Sequence, residues 1–98
     1  MLPTHRVSPH PGEILLEEFL VPLKLPQVRF AKHLGIPFQR VNEIVRGKRG
    51  ITAETAWLFA EALGTTPEFW TGLQSAHDLT LNRLDRHVKP IGRRALSA

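Results

Sequence analysis

The segment Gln27-Val28-Arg29-Phe30-Ala31-Lys32-His33-Leu34-Gly35-Ile36-Pro37-Phe38-Gln39-Arg40-Val41-Asn42-Glu43-Ile44-Val45-Arg46 has the composition of two helices crossed over a tight turn. A steep crossing needs a small residue on the first helix, which is Ala31, and a turn residue tolerant of positive φ, which is Gly35. The pair must also enclose an apolar centre. Phe30, Leu34, Ile36, Val41 and Ile44 supply it from both helices and the turn. Pro37 opens the second helix and Gly47 stops it, so that helix spans about Pro37 to Arg46. This is the layout of a helix-turn-helix, with the second helix as its recognition helix.

At about 100° per residue, Val41, Ile44 and Val45 fall on one side of the recognition helix and face inward. Gln39, Asn42, Glu43 and Arg46 fall opposite. Those side chains match base edges in the DNA major groove. Gln and Asn pair bidentately with adenine, Arg with guanine, and Glu accepts from cytosine. The candidate base-contact residues are Phe38, Gln39, Asn42 and Glu43. Phe38, at the helix entrance, either meets a thymine methyl or joins the core. Glu43 is acceptable beside phosphates only where a cytosine amine meets it.

Phosphate contacts come from other positions. Gln27 heads the first helix of the pair, where a side chain and backbone N–H groups hold a phosphate oxygen. Lys48 and Arg49 occupy the Gly47 to Gly50 loop, and Arg40 and Arg46 flank the reading face. A solvated loop is the alternative reading of Lys48 and Arg49. The charge layout favours a polyanion partner. Residues 24–49 carry seven Lys or Arg against the single acid Glu43, whereas residues 50–78 carry four acids and no Lys or Arg.

The rest of the chain reads as helix. A first helix starts near Pro11 with Glu13 in its first turn, buries Ile14, Leu15, Phe19 and Leu20, and stops near Val21 before Pro22. Thr52 caps a fourth helix with the stripe Ala56, Phe59, Ala60 and Leu63, ended by Gly64. Thr66-Pro67-Glu68 starts a fifth, which carries Phe69, Trp70, Leu73 and extends toward Leu81 and Leu84. The expected architecture is all-α, a five-helix domain over residues 10–86, with an N-terminal arm over 1–9 and a flexible basic tail over 87–98.

Composition excludes several function classes. With no cysteine among 98 residues, disulfides and thiolate metal sites are absent, which fits a reducing cytoplasm. No apolar run reaches the ~20 residues of a membrane span. The five histidines form no metal-ligand pair, and His10 is placed to shape the start of the first helix. No nucleophile–base set or phosphate loop is present, so neither enzyme nor cofactor is expected.

Three segments together resemble HigA antitoxins, which carry the lambda-repressor-like (Cro/C1-type) helix-turn-helix. They are His10-Pro11-Gly12-Glu13-Ile14-Leu15, the run Arg40 to Thr52, and Pro67-Glu68-Phe69-Trp70. The resemblance covers about residues 8 to 81. It implies a homodimer on a palindromic double-stranded operator that represses its own operon. It also implies a toxin partner, HigB, a ribosome-dependent mRNA endoribonuclease of RelE-like fold. The family's phosphate-holding glutamine falls on Gln27, and its base readers on Phe38, Gln39, Asn42 and Glu43. Phe38 departs from the usual small or polar residue. A stand-alone repressor of the same fold is the alternative.

One domain of this size reads only a short half-site, so a two-fold dimer is expected. The fifth helix is the candidate interface, with Trp70, Leu73 and His77. Adjacent positions cannot share a face, so Phe69 is expected inward and Trp70 toward the partner or the core edge. On the fourth helix Leu58 is expected to project away from the core stripe. With Trp57, Glu54 and Glu61 it would form a mixed acidic and apolar patch suited to a basic toxin.

Overall fold

The computed structural model describes residues 6–92, so part of the expected arm and the tail residues Arg93 and Arg94 lie outside the described residues. Among the described residues all regular structure is helical. Helix α1 (Pro11–Ile14) continues as a π-helical segment (Leu15–Leu20). Then follow α2 (Gln27–Leu34), α3 (Phe38–Val45), α4 (Ala53–Leu63) and α5 (Pro67–Leu81). None of these helices is long and apolar enough to cross a membrane.

The start and stop residues act as their chemistry requires. The Gly12 N–H donates to His10 Nδ1 at 2.9 Å, so the imidazole caps α1. Gly35 ends α2 in the left-handed region at φ 74°. Thr52 and Thr55 form a reciprocal capping box at α4, and Thr66 caps α5 ahead of Pro67. The π-helical widening answers a spacing problem. Leu15 and Leu20 are five residues apart, about 140° in an ordinary α-helix, yet both are buried. A hydrogen bond from Val21 N–H five residues back to the Leu16 carbonyl marks the wider turn that brings them to one face.

The core joins Leu15 and Leu20 to Phe30 and Ala31 of α2, Val41 and Ile44 of α3, Ala56, Phe59 and Ala60 of α4, and Trp70 of α5. Trp70 is its hub. Its ring meets Phe59 edge-on at 5.1 Å and Phe19 at 5.4 Å, and its Nε1–H donates to Thr65 Oγ1 at 2.7 Å. The indole thereby buries its full apolar area without leaving its one donor unpaired.

This packing reverses three expectations. Trp70 is 0% exposed and Phe69 is 41% exposed, so Phe69 is the residue that faces outward. Phe19 touches both rings, at 6.2 Å from Phe69 and 5.4 Å from Trp70, whereas the buried Phe59 of α4 and the Thr65 hydroxyl engage Trp70 alone. On α4, Leu58 packs against the core, while Trp57 is 59% exposed. Helix α5 ends at Leu81, capped by Asn82, which leaves Leu84 beyond the helix and exposed. Leu73 is half-buried against the protomer's own core, and His77 Nδ1–H donates to the Ser8 carbonyl at 2.8 Å.

Two contacts seat α3 from behind. Gly12 lies so close to the end of α3 that a Cβ there would overlap the Ile44 carbonyl oxygen and approach Val45 Cα to 2.8 Å. Beside it, the His10 ring packs on Gly47 and meets the His77 ring edge-on at 5.1 Å. Ser8 N–H donates to Thr80 Oγ1 at 2.8 Å, which ties the chain ahead of α1 to α5.

Gly12→Ala should therefore lower stability by at least about 1–3 kcal/mol, because the obstacle is backbone and cannot turn aside. Urea unfolding measures it, and an unchanged midpoint would show that α1 and α3 separate freely. His10 gives a pH signature. Burial first, and then His77, hold its imidazole below the ordinary value of 6.5, with Asp78 and Glu13 opposing. Only the neutral ring caps, since Nδ1 must accept. The folded value is depressed, so the stabilisation is complete above about pH 6.5 and fades as pH falls through the lowered folded value. His10→Asn keeps a cap that does not titrate. Its stability should fall less than the parent's between about pH 7 and pH 5 in urea titrations, and equal slopes would remove His10 from the effect.

Candidate nucleic-acid interface

Helix α3 is built to bury one side and offer the other. Val41 and Ile44 are fully buried and Val45 is half-buried, whereas Phe38, Gln39 and Arg46 are exposed and Asn42 and Glu43 half-buried. Phe38 is 45% exposed and takes no part in the aromatic cluster around Trp70. Its two sequence readings are thus separated: the ring is on the surface at the entrance of the recognition helix.

Gln27 and Asn42 meet. Asn42 Nδ2–H donates to Gln27 Oε1 at 3.1 Å, joining the head of α2 to the outer face of α3. This bond leaves the Gln27 Nε2–H groups and the Asn42 carbonyl oxygen for a ligand. It also fixes the orientation of both amides at a site where a free side chain would lose rotamer entropy on binding.

Two arginines are held by acids on the same surface. Arg49 Nε donates to Glu43 Oε1 at 2.9 Å, and Arg40 Nη1 donates to Glu54 Oε1 at 3.3 Å. Pro37, Gln39, Arg40, Glu43 and Arg49 line one cleft of about 260 Å³. Such surface pairs add only ~0–1 kcal/mol of stability, so their effect is orientation. The Glu43 pairing also resolves the difficulty of an acid on a face suited to phosphates, because Arg49 balances its charge. Arg46 and Lys48 are exposed, and Lys48 N–H donates to the Glu43 carbonyl at 2.8 Å, which folds the loop back on the helix.

Sequence reasoning missed the group that anchors this loop. Gln74 of α5 accepts the Ile51 N–H at 2.7 Å through Oε1 and donates to Asp78 at 2.9 Å through Nε2. The Gln74–Asp78 spacing of one helical turn was legible, but the partner 23 residues away in sequence was not. Glu54, a member of the expected acidic patch, also holds Arg40 in place. Of the three interface candidates on α5, Trp70 lies inside the protomer, Leu73 is half-buried and His77 is engaged by Ser8.

Known proteins share the fold. A helix-turn-helix family model matches residues 16–70, more than half of the chain. Antitoxin HigA-1 of Vibrio cholerae serotype O1 is 39% identical over 80 residues, covering 80% of this chain and 75% of that protein. A HigA-family addiction module antidote protein from Coxiella burnetii is 49% identical with a TM-score of 0.73, over 78% of this chain and 83% of that one. Pseudomonas aeruginosa antitoxin HigA, solved with the higBA promoter, is 32% identical with a TM-score of 0.79, over 86% of this chain and 98% of that one. With a matching family model and relatives at this identity and coverage, the chain belongs to the HigA family of lambda-repressor-like helix-turn-helix antitoxins.

Proposed function

We propose that this antitoxin acts in the cytoplasm as a homodimeric, sequence-specific repressor of its own operon, and that it neutralises a RelE-like mRNA endoribonuclease. The observation that carries the DNA reading is the Gln27–Asn42 hydrogen bond beside the exposed Phe38 and Gln39. It joins a phosphate-facing amide to a base-facing one in a fixed register. Gln39 and Asn42 read adenine edges, and Phe38 packs on a thymine methyl, so the face favours A·T pairs. Glu43 orients Arg49, and its second carboxylate oxygen meets a cytosine amine. Gln27, Arg40, Arg46, Lys48 and Arg49 hold phosphates and set the docking register.

The dimer surface moves from Trp70 to the neighbouring, exposed side of α5. Phe69, Gly72, Ala76 and Leu79 share one side, at spacings of three, four and three residues. Phe69 and Leu79 are exposed, and open space surrounds the Cβ position of Gly72, so a second helix backbone has room to approach. Two protomers joined there present their recognition helices about one DNA turn apart, ~34–36 Å. For the toxin, the supporting patch is Trp57 with Glu54 and Glu61 on the outer stripe of α4. It pairs an exposed aromatic anchor with negative charge, which suits a basic ribonuclease.

On an inverted-repeat operator, Gln39→Ala should cost about 1–3 kcal/mol and relax specificity at one base pair. Lys48→Ala should weaken all duplexes alike and lower the salt slope by about one. Replacing operator thymines with deoxyuridine removes the methyl groups. That change should weaken the parent protein and leave Phe38→Ala unaffected. Equal affinity of the parent for operator and scrambled duplexes would end the repressor reading.

Sedimentation of Phe69→Asp should show a folded monomer, and a persistent dimer would place the interface elsewhere. Co-expression with the adjacent open reading frame should yield a complex with a small basic ribonuclease. Absence of any complex would favour the stand-alone repressor. Trp57→Ala should weaken that complex, and an unaffected complex would remove the α4 patch alone.

A further inference from the structure

Away from the recognition face, α2 and the end of α4 diverge around a groove of about 490 Å³. Its lining is Leu23, Leu25, Phe30, Ala62 and Leu63 on the apolar side, with Arg29, Lys32 and His33 on the rim. None of these residues belongs to the face described above. The groove is of a size that takes small molecules, which fall in sites of roughly 300–1,000 Å³. Its floor is fixed, since the Phe30 ring is buried and packs at a tilt against Phe59, with centroids 5.5 Å apart.

The charge is one-sided. No carboxylate lines the groove, and neither Arg29 nor Lys32 forms an ion pair among the described residues. In the cleft beside the recognition helix, by contrast, Arg40 and Arg49 each have an acidic partner. Leu23, at the mouth, is 60% exposed, an apolar side chain left in water beside two cations.

We propose that this groove is a binding site for a small amphipathic anion, with an apolar chain or ring against Leu25, Phe30, Ala62 and Leu63. The carboxylate or similar head group lies between Arg29 and Lys32. The apolar body displaces water from Leu23 and the floor, and the head supplies the negative charge that the rim lacks. The site does not depend on the DNA-binding reading, because it shares no residue with that face.

Decanoate is the probe, with the uncharged 1-decanol as its control, each titrated into the full chain by calorimetry and by amide chemical-shift mapping. Decanoate should bind saturably at one site per protomer, with shifts centred on Leu25, Phe30, Ala62 and Leu63, and more tightly than decanol. The double variant Arg29→Ala, Lys32→Ala alters only exposed side chains. It should weaken decanoate at least tenfold while changing decanol by less than twofold. Ala62→Trp, which fills the groove, should abolish both. The proposal is overturned by equal binding of decanoate and decanol to the parent, by shifts centred elsewhere, by the absence of saturable binding, or by an unaffected double variant.

Discussion

The recognition helix owes its position to backbone lying directly on backbone. Where α1 begins, Gly12 rests against the Ile44 carbonyl at the end of α3, with no side chain between them. Side-chain packing tolerates small shifts, but two peptide planes in contact leave no slack. That contact fixes how far α3 stands from α1. Through the His10 cap and its packing on Gly47 and His77, it also fixes where α5 crosses behind. The conformational entropy of the loop from Gly47 to Ile51 is spent in folding, not in binding, since Gln74 and the Glu43 carbonyl already hold it.

The core gives this frame its stiffness. Trp70 touches side chains from the first helical segment and α4, and the Thr65 hydroxyl satisfies its indole N–H. Truncating so large a buried ring costs about 3–5 kcal/mol, a large part of the stability of a domain this small. The same packing explains why Pro67-Glu68-Phe69-Trp70 is a useful sequence marker. The first two residues set the start of α5, and the last two decide which of its sides turns inward.

Signals that act within a few residues were legible in the sequence. Ala31 and Gly35 located the crossing, Thr52 and Thr66 located two helix starts, and His10 was recognisable as a helix-shaping residue. The inward set Val41, Ile44 and Val45 followed from periodicity alone. Choices made by distant neighbours were not legible. Phe69 and Trp70 are both large aromatics, and the placing of Phe59 and Thr65 around the indole separates them. Trp57 and Leu58 pose the same problem on α4. The π-helical turn that brings Leu15 and Leu20 together looks like ordinary helix in the sequence. At the DNA face the residue types were readable, but their pairing was not. Gln27 with Asn42 and Arg40 with Glu54 are settled by how the helices cross, and Glu43 with Arg49 by how the loop after α3 folds back.

The bond between Gln27 and Asn42 has a consequence for inheritance of specificity. A reading residue that leans on a neighbour from another helix is not an independent letter in a code. Under the proposed DNA reading, a change at position 42 that no longer matches position 27 would alter both the base contacted and the register in which the helix sits. New operators are therefore reached most easily by paired changes across the two helices. A recognition helix grafted alone from a relative would carry only half of the information that it used in its original setting.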